Sequence, residues 1–132
     1  TFENYGDQPS HLLIADDIIG GYFALNAGGI GSEIGKIYYL PQDTLEWECL
    51  DTNYSEFLYW AFTGDINKFY EIFRWENWQN EIKNADGNQV YSFVPFLWTK
   101  EGKEIEKTDR RLVPIEENYN LTLDFQKQFN GK

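Results

Sequence analysis

The sequence is poor in the residues that build disulfides, metal sites and redox sites. It contains one cysteine, one histidine and no methionine among 132 residues. A single cysteine excludes an intrachain disulfide and a zinc site made of thiolates, which favours a reducing compartment. No apolar stretch approaches the length of a membrane span, and no signal peptide is recognisable, although a chain that begins at Thr1 can have lost a targeting segment. We therefore expect a cytoplasmic protein that does not contact a membrane.

Positive charge is also scarce, most of all in the first half of the chain. Residues 1–60 carry ten acidic side chains and one base, Lys36, a net charge of −9, whereas residues 61–132 carry −2. A field of this sign repels nucleic-acid phosphates and attracts cationic surfaces. We therefore expect a basic protein partner and no nucleic acid. The alternative is that the acidity only keeps the protein soluble.

Large aromatic rings, in contrast, are abundant. Ten Phe, nine Tyr and five Trp can bury enough apolar surface to offset the entropy lost on folding. A chain of this length is large enough for one core and too short for two comfortable ones. We therefore predict a single domain over residues 1–132.

The first half of the chain reads as a tightly turned antiparallel meander. Short apolar segments alternate there with glycine-rich and acidic turns, which is typical of strands and hairpins. The predicted strands cover residues 11–15, 22–26, 36–40 and 45–49. In the last of them, Leu45, Trp47 and Cys49 would share a buried face, while Glu46 and Glu48 would line a wet acidic face.

Helices are predicted in the middle of the chain and at its end. Asn53 and Glu56 form a capping box that opens a helix ending at Gly64, with a buried stripe made of Tyr54, Leu58, Ala61 and Phe62. Asp65 caps a second helix, and a third covers residues 78–83. A polar lead-in is predicted over residues 1–10. A strand over 90–98, a mobile loop over 99–111 and a last helix that follows Pro114 and stops at Gly131 complete the prediction.

These elements predict an α+β fold, in which a twisted antiparallel sheet of about five strands carries helices on one face. The apolar phase of each element also predicts members of the core. These are Trp47, Ile66, Phe69, Phe73 and Phe125.

The motifs that suggest catalysis, nucleotides or metals all fail on spacing. Gly31-x-x-x-Gly35-Lys36 is one residue short of a phosphate-binding loop and precedes a strand, so the glycines are expected to serve backbone geometry. A calcium loop beginning at Asp51 has Glu56 where glycine is needed. His11 has no serine in a nucleophile-elbow context. We therefore expect no catalytic residue, no cofactor and no metal.

Adjacent carboxylates at Asp16 and Asp17 point to opposite faces of a strand, so they cannot form an acid–base pair. Such residues at a strand end more often accept hydrogen bonds from the amides of the following turn. Trp60 lies off the predicted helix stripe, which suggests either packing against the sheet or an interface anchor. The residues that we consider candidates for partner binding are Asp16, Asp17, Asp43, Glu46, Glu48 and Trp60.

Five segments of the chain resemble an uncharacterised bacterial family labelled domain of unknown function 2625. They are Ala15-Asp-Asp-x-x-Gly-Gly-Tyr-Phe-Ala-Leu-Asn-x-Gly-Gly, Gly35-Lys-Ile-Tyr-Tyr-x-Pro-x-Asp-Thr-Leu-Glu-Trp-Glu, Tyr54-Ser-Glu-Phe-Leu-Tyr-Trp-Ala, Phe93-x-Pro-Phe-Leu-Trp-Thr-Lys-Glu and Val113-Pro-Ile-Glu-Glu. The resemblance implies no catalytic residue. It also implies a further N-terminal portion, so that residues 1–132 would be the C-terminal part of a longer domain with an exposed strand edge.

A weaker resemblance links that family to the SUKH superfamily of Smi/Knr-like proteins, which are α+β interaction modules that often neutralise toxins. The leading functional hypothesis is therefore a non-enzymatic cytoplasmic protein-binding module, of the immunity type, for a basic partner. The alternatives are a hydrolase with an unrecognised carboxylate site and an accessory domain with no separable activity. A hydrolase of that kind needs two acids that converge in a concave pocket.

Overall fold

The computed structural model describes residues 10–130; the predicted lead-in before Ser10 and the predicted helix end at Gly131 lie outside them. Within this range the strands are β1 His11–Asp16, β2 Tyr22–Asn26, β3 Ile37–Leu40, β4 Glu48–Cys49, β5 Gln89–Val94 and β6 Asp109–Pro114. The α-helices are α1 Tyr54–Thr63, α2 Ile66–Phe69, α3 Trp78–Glu81 and α4 Ile115–Asn130. The α+β class is confirmed, but the strands form a sheet of four and a sheet of two, not one sheet of about five.

The larger sheet is an antiparallel meander in the order β1-β2-β3-β4. The glycine-rich loop between β2 and β3 is organised by the buried side chain of Asn26. Its Nδ2 donates to the carbonyls of Gly31 and Glu33 at 2.9 and 3.1 Å, and its Oδ1 accepts from the amides of Gly28 and Ile30 at 2.8 and 3.3 Å. Gly28 and Gly35 of this loop have positive φ angles of 115° and 85°, so the glycines serve backbone geometry, as the sequence predicts.

Helices cover both faces of this sheet. On one face, Phe23 of β2 packs against Phe57 of α1, with ring centroids 5.0 Å apart. On the opposite face, Tyr22 packs edge-to-face on Tyr119 of α4 at 4.9 Å and donates a hydrogen bond to the carbonyl of Ile115. Both faces of β2 and β3 are therefore buried, which explains why these strands are almost continuously apolar.

The predicted strand over residues 45–49 is shortened to Glu48–Cys49. Leu45 has a φ of 56°, and its amide donates to the carbonyl of Pro41 at 3.0 Å, so a turn occupies most of the predicted strand. Trp47 is half-buried against His11, with ring centroids 5.3 Å apart. The prediction that Cys49 is buried is wrong, because its side chain is exposed at the short edge strand.

The predicted mobile loop over residues 99–111 is wrong at its end, where Asp109–Arg111 begin β6 and pair with β5. Arg110 is only partly exposed because its guanidinium lies 4.5 Å from the ring of Trp75 and bonds nearby carbonyls. A sequence reading counts such a side chain as solvated, whereas its stem and planar head can cover an apolar surface.

The phase predicted for α1 is also wrong. Phe57 is buried, whereas Tyr54, Leu58 and Phe62 from the predicted buried stripe are exposed, Phe62 to 85%. The capping box at Asn53 and Glu56 is present as predicted, with N–H···O distances of 2.8 and 2.9 Å. Since α1 carries aromatic residues on several sides, periodicity alone does not determine which side meets the sheet.

Of the predicted core residues, Phe73 is fully buried in the main hydrophobic cluster. Ile66 and Phe69 are half-buried and pack against that cluster. Phe125 is half-buried in a separate aromatic group with Phe96, Trp98 and Phe129, at the far end of α4.

None of the described helices combines the length and the apolar character needed to cross a membrane.

Candidate functional site

The carboxylate of Asp17 lies at the centre of a hydrogen-bond network just after β1. Its Oδ1 accepts from the amides of Ile19 and Gly21 at 3.2 and 2.7 Å, which confirms the expectation that Asp17 bonds the amides of the turn. Its Oδ2 accepts from the hydroxyls of Tyr39 and Tyr70 at 2.7 and 2.9 Å. Four donors fill the four acceptor positions of a carboxylate, so Asp17 is committed to internal contacts.

Burial raises the pKa of Asp17, and the four hydrogen bonds oppose that rise. Burial also raises the pKa of Tyr39 and of Tyr70, and the negative charge of Asp17 raises both further. Both phenols therefore stay protonated at physiological pH and keep donating to Asp17.

Next to this network, Arg74 is held between two aromatic rings. Its guanidinium carbon lies 3.8 Å from the centroid of Trp78 and 5.4 Å from that of Tyr70. The Nε of Arg74 is buried and has no hydrogen-bond partner among the described residues. Burial lowers the pKa of Arg74, and electrostatic interactions with Tyr70 and Asp17 oppose that change. Arg74 was not among the sequence candidates; its position four residues before a tryptophan is the only signal that could have indicated it.

Arg74 and Asp17 line the same cavity of about 180 Å³, hereafter the Arg74 cavity. Most of its remaining wall is aliphatic. It is formed by Ile18, Ile19, Ile66 and Ile82. A charged donor beside a largely aliphatic wall is a common arrangement in small-molecule sites.

Three of the predicted partner-binding acids influence one another. We call Asp43, Glu46 and Glu48 the acidic cluster. Partial burial raises the pKa of Glu48, and the negative charges of Asp43 and Glu46 raise it further. Glu46 and Glu48 are exposed, whereas Asp43 is half-buried and its carbonyl accepts a hydrogen bond from Lys103. The acidic cluster therefore presents two free carboxylates beside the β4 edge.

Trp60 is half-buried and packs against Phe69, with ring centroids 4.9 Å apart. It lines an open, mostly apolar cavity of about 270 Å³ together with Leu50 and Thr52, which follow β4, and Phe57. Of the two roles considered for Trp60, the structure shows packing next to the sheet, while one side of this packed group remains open to solvent.

Asp16 lies on the other side of β1 from Asp17, as adjacent strand positions predict. It lines a groove of about 350 Å³ between β1 and α4, which also includes Glu116, Tyr22 and Tyr119. Burial raises the pKa of Asp16. The groove brings Asp16 and Glu116 to one concave surface, and none of the residues of the acidic cluster lines it.

Within residues 10–130, no three His, Cys, Asp or Glu side chains are grouped so as to hold a metal ion.

The fold and these sites define an acidic α+β protein. Its antiparallel meander is covered on both faces, its helix α1 exposes apolar side chains, and a small cavity is lined by an arginine. The chain belongs to the family described as "Protein of unknown function DUF2625", whose model matches residues 1–118. This confirms the family indicated by the sequence segments.

Two relatives with curated sequences are similar to this chain along most of its length. An uncharacterized protein of Haemophilus influenzae is 42% identical over 130 residues, which are 98% of this chain and 57% of that protein. The uncharacterized protein YbfG of Escherichia coli is 38% identical over 118 residues, which are 89% of this chain and 53% of YbfG. The chain thus spans little more than half the length of these relatives. No solved structure matches it.

Proposed function

We propose that this chain is a non-enzymatic, cytoplasmic protein-binding module for a basic partner. It would act as an immunity protein does, by binding a toxin. The observation that carries the proposal is an apolar stripe exposed on α1, formed by Tyr54, Leu58 and Phe62, which we call the α1 stripe. A contiguous apolar surface on a well-formed helix is typical of a protein interface. The capping box shows that α1 is a regular helix at the end where the stripe begins.

The acidic cluster supports a basic partner. Glu48 and Leu50 are two residues apart, so their side chains project toward the same face of this extended segment. Leu50 lines the open cavity beside Trp60 and Phe57, which links the β4 edge to α1. A partner that places an apolar side chain on α1 and basic side chains near Glu46 and Glu48 would match both features. The carboxylates would act mainly on the rate and specificity of association.

The test is capture of partners from a lysate of the organism that encodes the chain, with purified wild-type protein and two charge-reversal variants. Glu46→Lys with Glu48→Lys should greatly reduce capture of a basic protein, whereas Glu101→Lys with Glu104→Lys should leave it nearly unchanged. Both variants change the net charge equally, and Glu101 and Glu104 are exposed residues that do not belong to the acidic cluster, although Lys103 between them bonds the carbonyl of Asp43. Glu104 forms only an exposed ion pair with Lys107, so its loss should cost little stability.

A third variant, Phe62→Ser, tests the α1 stripe, and its capture should fall without loss of helical circular dichroism. The association rate with the captured protein should decrease steeply with salt. Equal loss of capture in both charge-reversal variants, or a partner that is not basic, would reject the proposal.

The alternative, a hydrolase, is favoured by the groove between β1 and α4. Asp16 and Glu116 both line this groove, and a carboxyl with a raised pKa is suited to act as a general acid. A screen of ester, phosphoester and glycoside substrates tests it. Hydrolysis that is abolished by Asp16→Asn and by Glu116→Gln separately would support the enzyme and contradict the binding module.

A further inference from the structure

Two arginines of this chain lie against tryptophan rings, but their donors are used differently. Arg110 lies 4.5 Å from the ring of Trp75. Its Nε donates to Glu81 at 3.4 Å, and one terminal nitrogen donates to the carbonyls of Ile105 and Thr108 at 3.2 and 3.1 Å. Arg110 is therefore a structural arginine whose charge and donors are matched within the fold.

Arg74 has the same aromatic support without the same polar partners. It lies closer to its ring, 3.8 Å from Trp78, so its position is well defined. Its buried Nε lacks a hydrogen-bond acceptor among the described residues, and its guanidinium forms no ion pair with their carboxylates. A buried donor on a charged group costs free energy when it is unpaired. The terminal nitrogens of Arg74 are not buried in this way and form no hydrogen bond with the described residues, so an oxygen ligand would be bound favourably there.

The nearest acid in the same cavity does not supply that oxygen. Asp17 lines the Arg74 cavity, but its two oxygens already accept from the amides of Ile19 and Gly21 and from the hydroxyls of Tyr39 and Tyr70. These donors occupy the lone pairs of Asp17, so its charge acts on Arg74 without a direct hydrogen bond. An acceptor for Arg74 must therefore come from solvent or from a bound molecule.

The size and lining of the Arg74 cavity limit what that molecule can be. Its volume of about 180 Å³ corresponds to about six water molecules in the liquid, which leaves room for a carboxylate and about four or five carbon atoms. Ile18, Ile19, Ile66 and Ile82 would surround an aliphatic body and gain from its burial. A phosphate or a sugar would leave most of its polar atoms unpaired against these side chains.

We propose that the Arg74 cavity binds a small branched aliphatic monocarboxylate. The carboxylate accepts hydrogen bonds from the two terminal nitrogens of Arg74, and the aliphatic body packs among the isoleucines. Trp78 holds the guanidinium in place, which reduces the entropy lost on binding. The site lies on the α2–α3 side of the domain and does not depend on the acidic cluster or the α1 stripe.

The test uses the purified chain and three probes in isothermal titration. We expect 4-methylpentanoate to bind saturably, and both 4-methylpentanamide and acetate to bind at least about tenfold more weakly, since the first lacks the charge and the second the aliphatic body. Arg74→Gln should weaken 4-methylpentanoate by about tenfold or more. Arg111→Gln, which removes an exposed arginine of β6, should change it by less than about twofold.

Nuclear magnetic resonance of the wild-type chain provides a second measurement, which needs no substitution and therefore cannot be affected by misfolding of a variant. The Nε–H signal of Arg74 and the indole N–H signal of Trp78 should shift on addition of 4-methylpentanoate, while the Nε–H signal of Arg110 stays in place. No saturable binding up to about 10 mM, equal binding of the amide, or shifts confined to other residues would overturn the proposal.

Discussion

Asp17 shows how one buried carboxylate can join three parts of this chain. It receives amides from the turn that follows β1, the hydroxyl of Tyr39 from β3 and the hydroxyl of Tyr70 from the segment after α2. Because the pKa of Asp17 is raised on folding, the folded state binds its proton more tightly than the unfolded state. The contribution of Asp17 to stability is therefore largest at acid pH, and it is lost as the pH rises from about 4 through the folded-state pKa.

Removing a donor to Asp17 should move this titration further from its ordinary value. Tyr39→Phe deletes a hydrogen bond that lowers the pKa of Asp17, so we expect a higher midpoint for the Asp17 Cγ signal in a carbon-detected titration. At neutral pH the free energy of unfolding should fall by about 1–3 kcal/mol. Tyr59→Phe, at a side chain that is 73% exposed, serves as the control. An unchanged or lower midpoint in Tyr39→Phe would contradict the role given to Tyr39.

Phe73 and Phe69 test how well burial ranks the core. Phe73→Ala should lower the free energy of unfolding by about 3–5 kcal/mol, because its side chain is fully buried in the main cluster. Phe69→Ala should cost less, since Phe69 is half-buried and lines the open cavity next to Trp60. Denaturant unfolding of both variants measures the difference. Equal losses would mean that the open cavity is closed in solution.

At the scale of elements, the loop between β2 and β3 depends on one side chain. Asn26→Asp replaces the Nδ2 donor with an acceptor that faces the carbonyls of Gly31 and Glu33. We expect a loss of more than about 2 kcal/mol in the free energy of unfolding, measured with denaturant. Asn120→Asp, on the exposed side of α4, should change it by less than about 0.5 kcal/mol. A small effect at Asn26 would show that the glycines hold the loop without it.

Elements with local signals could be predicted from the sequence. The observed bounds of β2 match the predicted range, because the paired glycines before it and the loop after it mark both ends. The start of α1 matches because Asn53 and Glu56 are only three residues apart and act locally. The start of α4 matches for a similar reason, since Pro114 precedes it.

Features that depend on tertiary contacts could not be predicted in the same way. The charged residues at the start of β6 do not predict a strand, because the partial burial of Arg110 depends on Trp75, a residue distant in sequence. The phase of α1 depends on which ring meets Phe23. In the candidate sites, the sequence indicates the acids near β4 because several of them lie within a few residues of one another. Arg74 is recognisable as a site residue only in the structure, where it lines one cavity with Asp17 and four isoleucines.

For the whole molecule, the uneven distribution of charge should make stability depend on salt. The negative charges of Asp43 and Glu46 raise the pKa of Glu48 by repulsion, and salt screens this repulsion. We therefore expect the thermal midpoint to rise between low and physiological ionic strength. Glu46→Lys with Glu48→Lys should remove much of that rise, and Glu101→Lys with Glu104→Lys should remove less. A midpoint that does not respond to salt in the wild-type chain would show that the acids are too far apart to interact.

The exposed thiol of Cys49 has a practical consequence for work on this domain. Cys49 is the single cysteine of the sequence, and it lies on β4 directly after Glu48. A maleimide dye or spin label can therefore be attached at one defined position without introducing or removing any residue. Such a probe would report through its emission or mobility when another molecule covers the β4 edge, and would remain unaffected when a ligand enters on the far side of the domain.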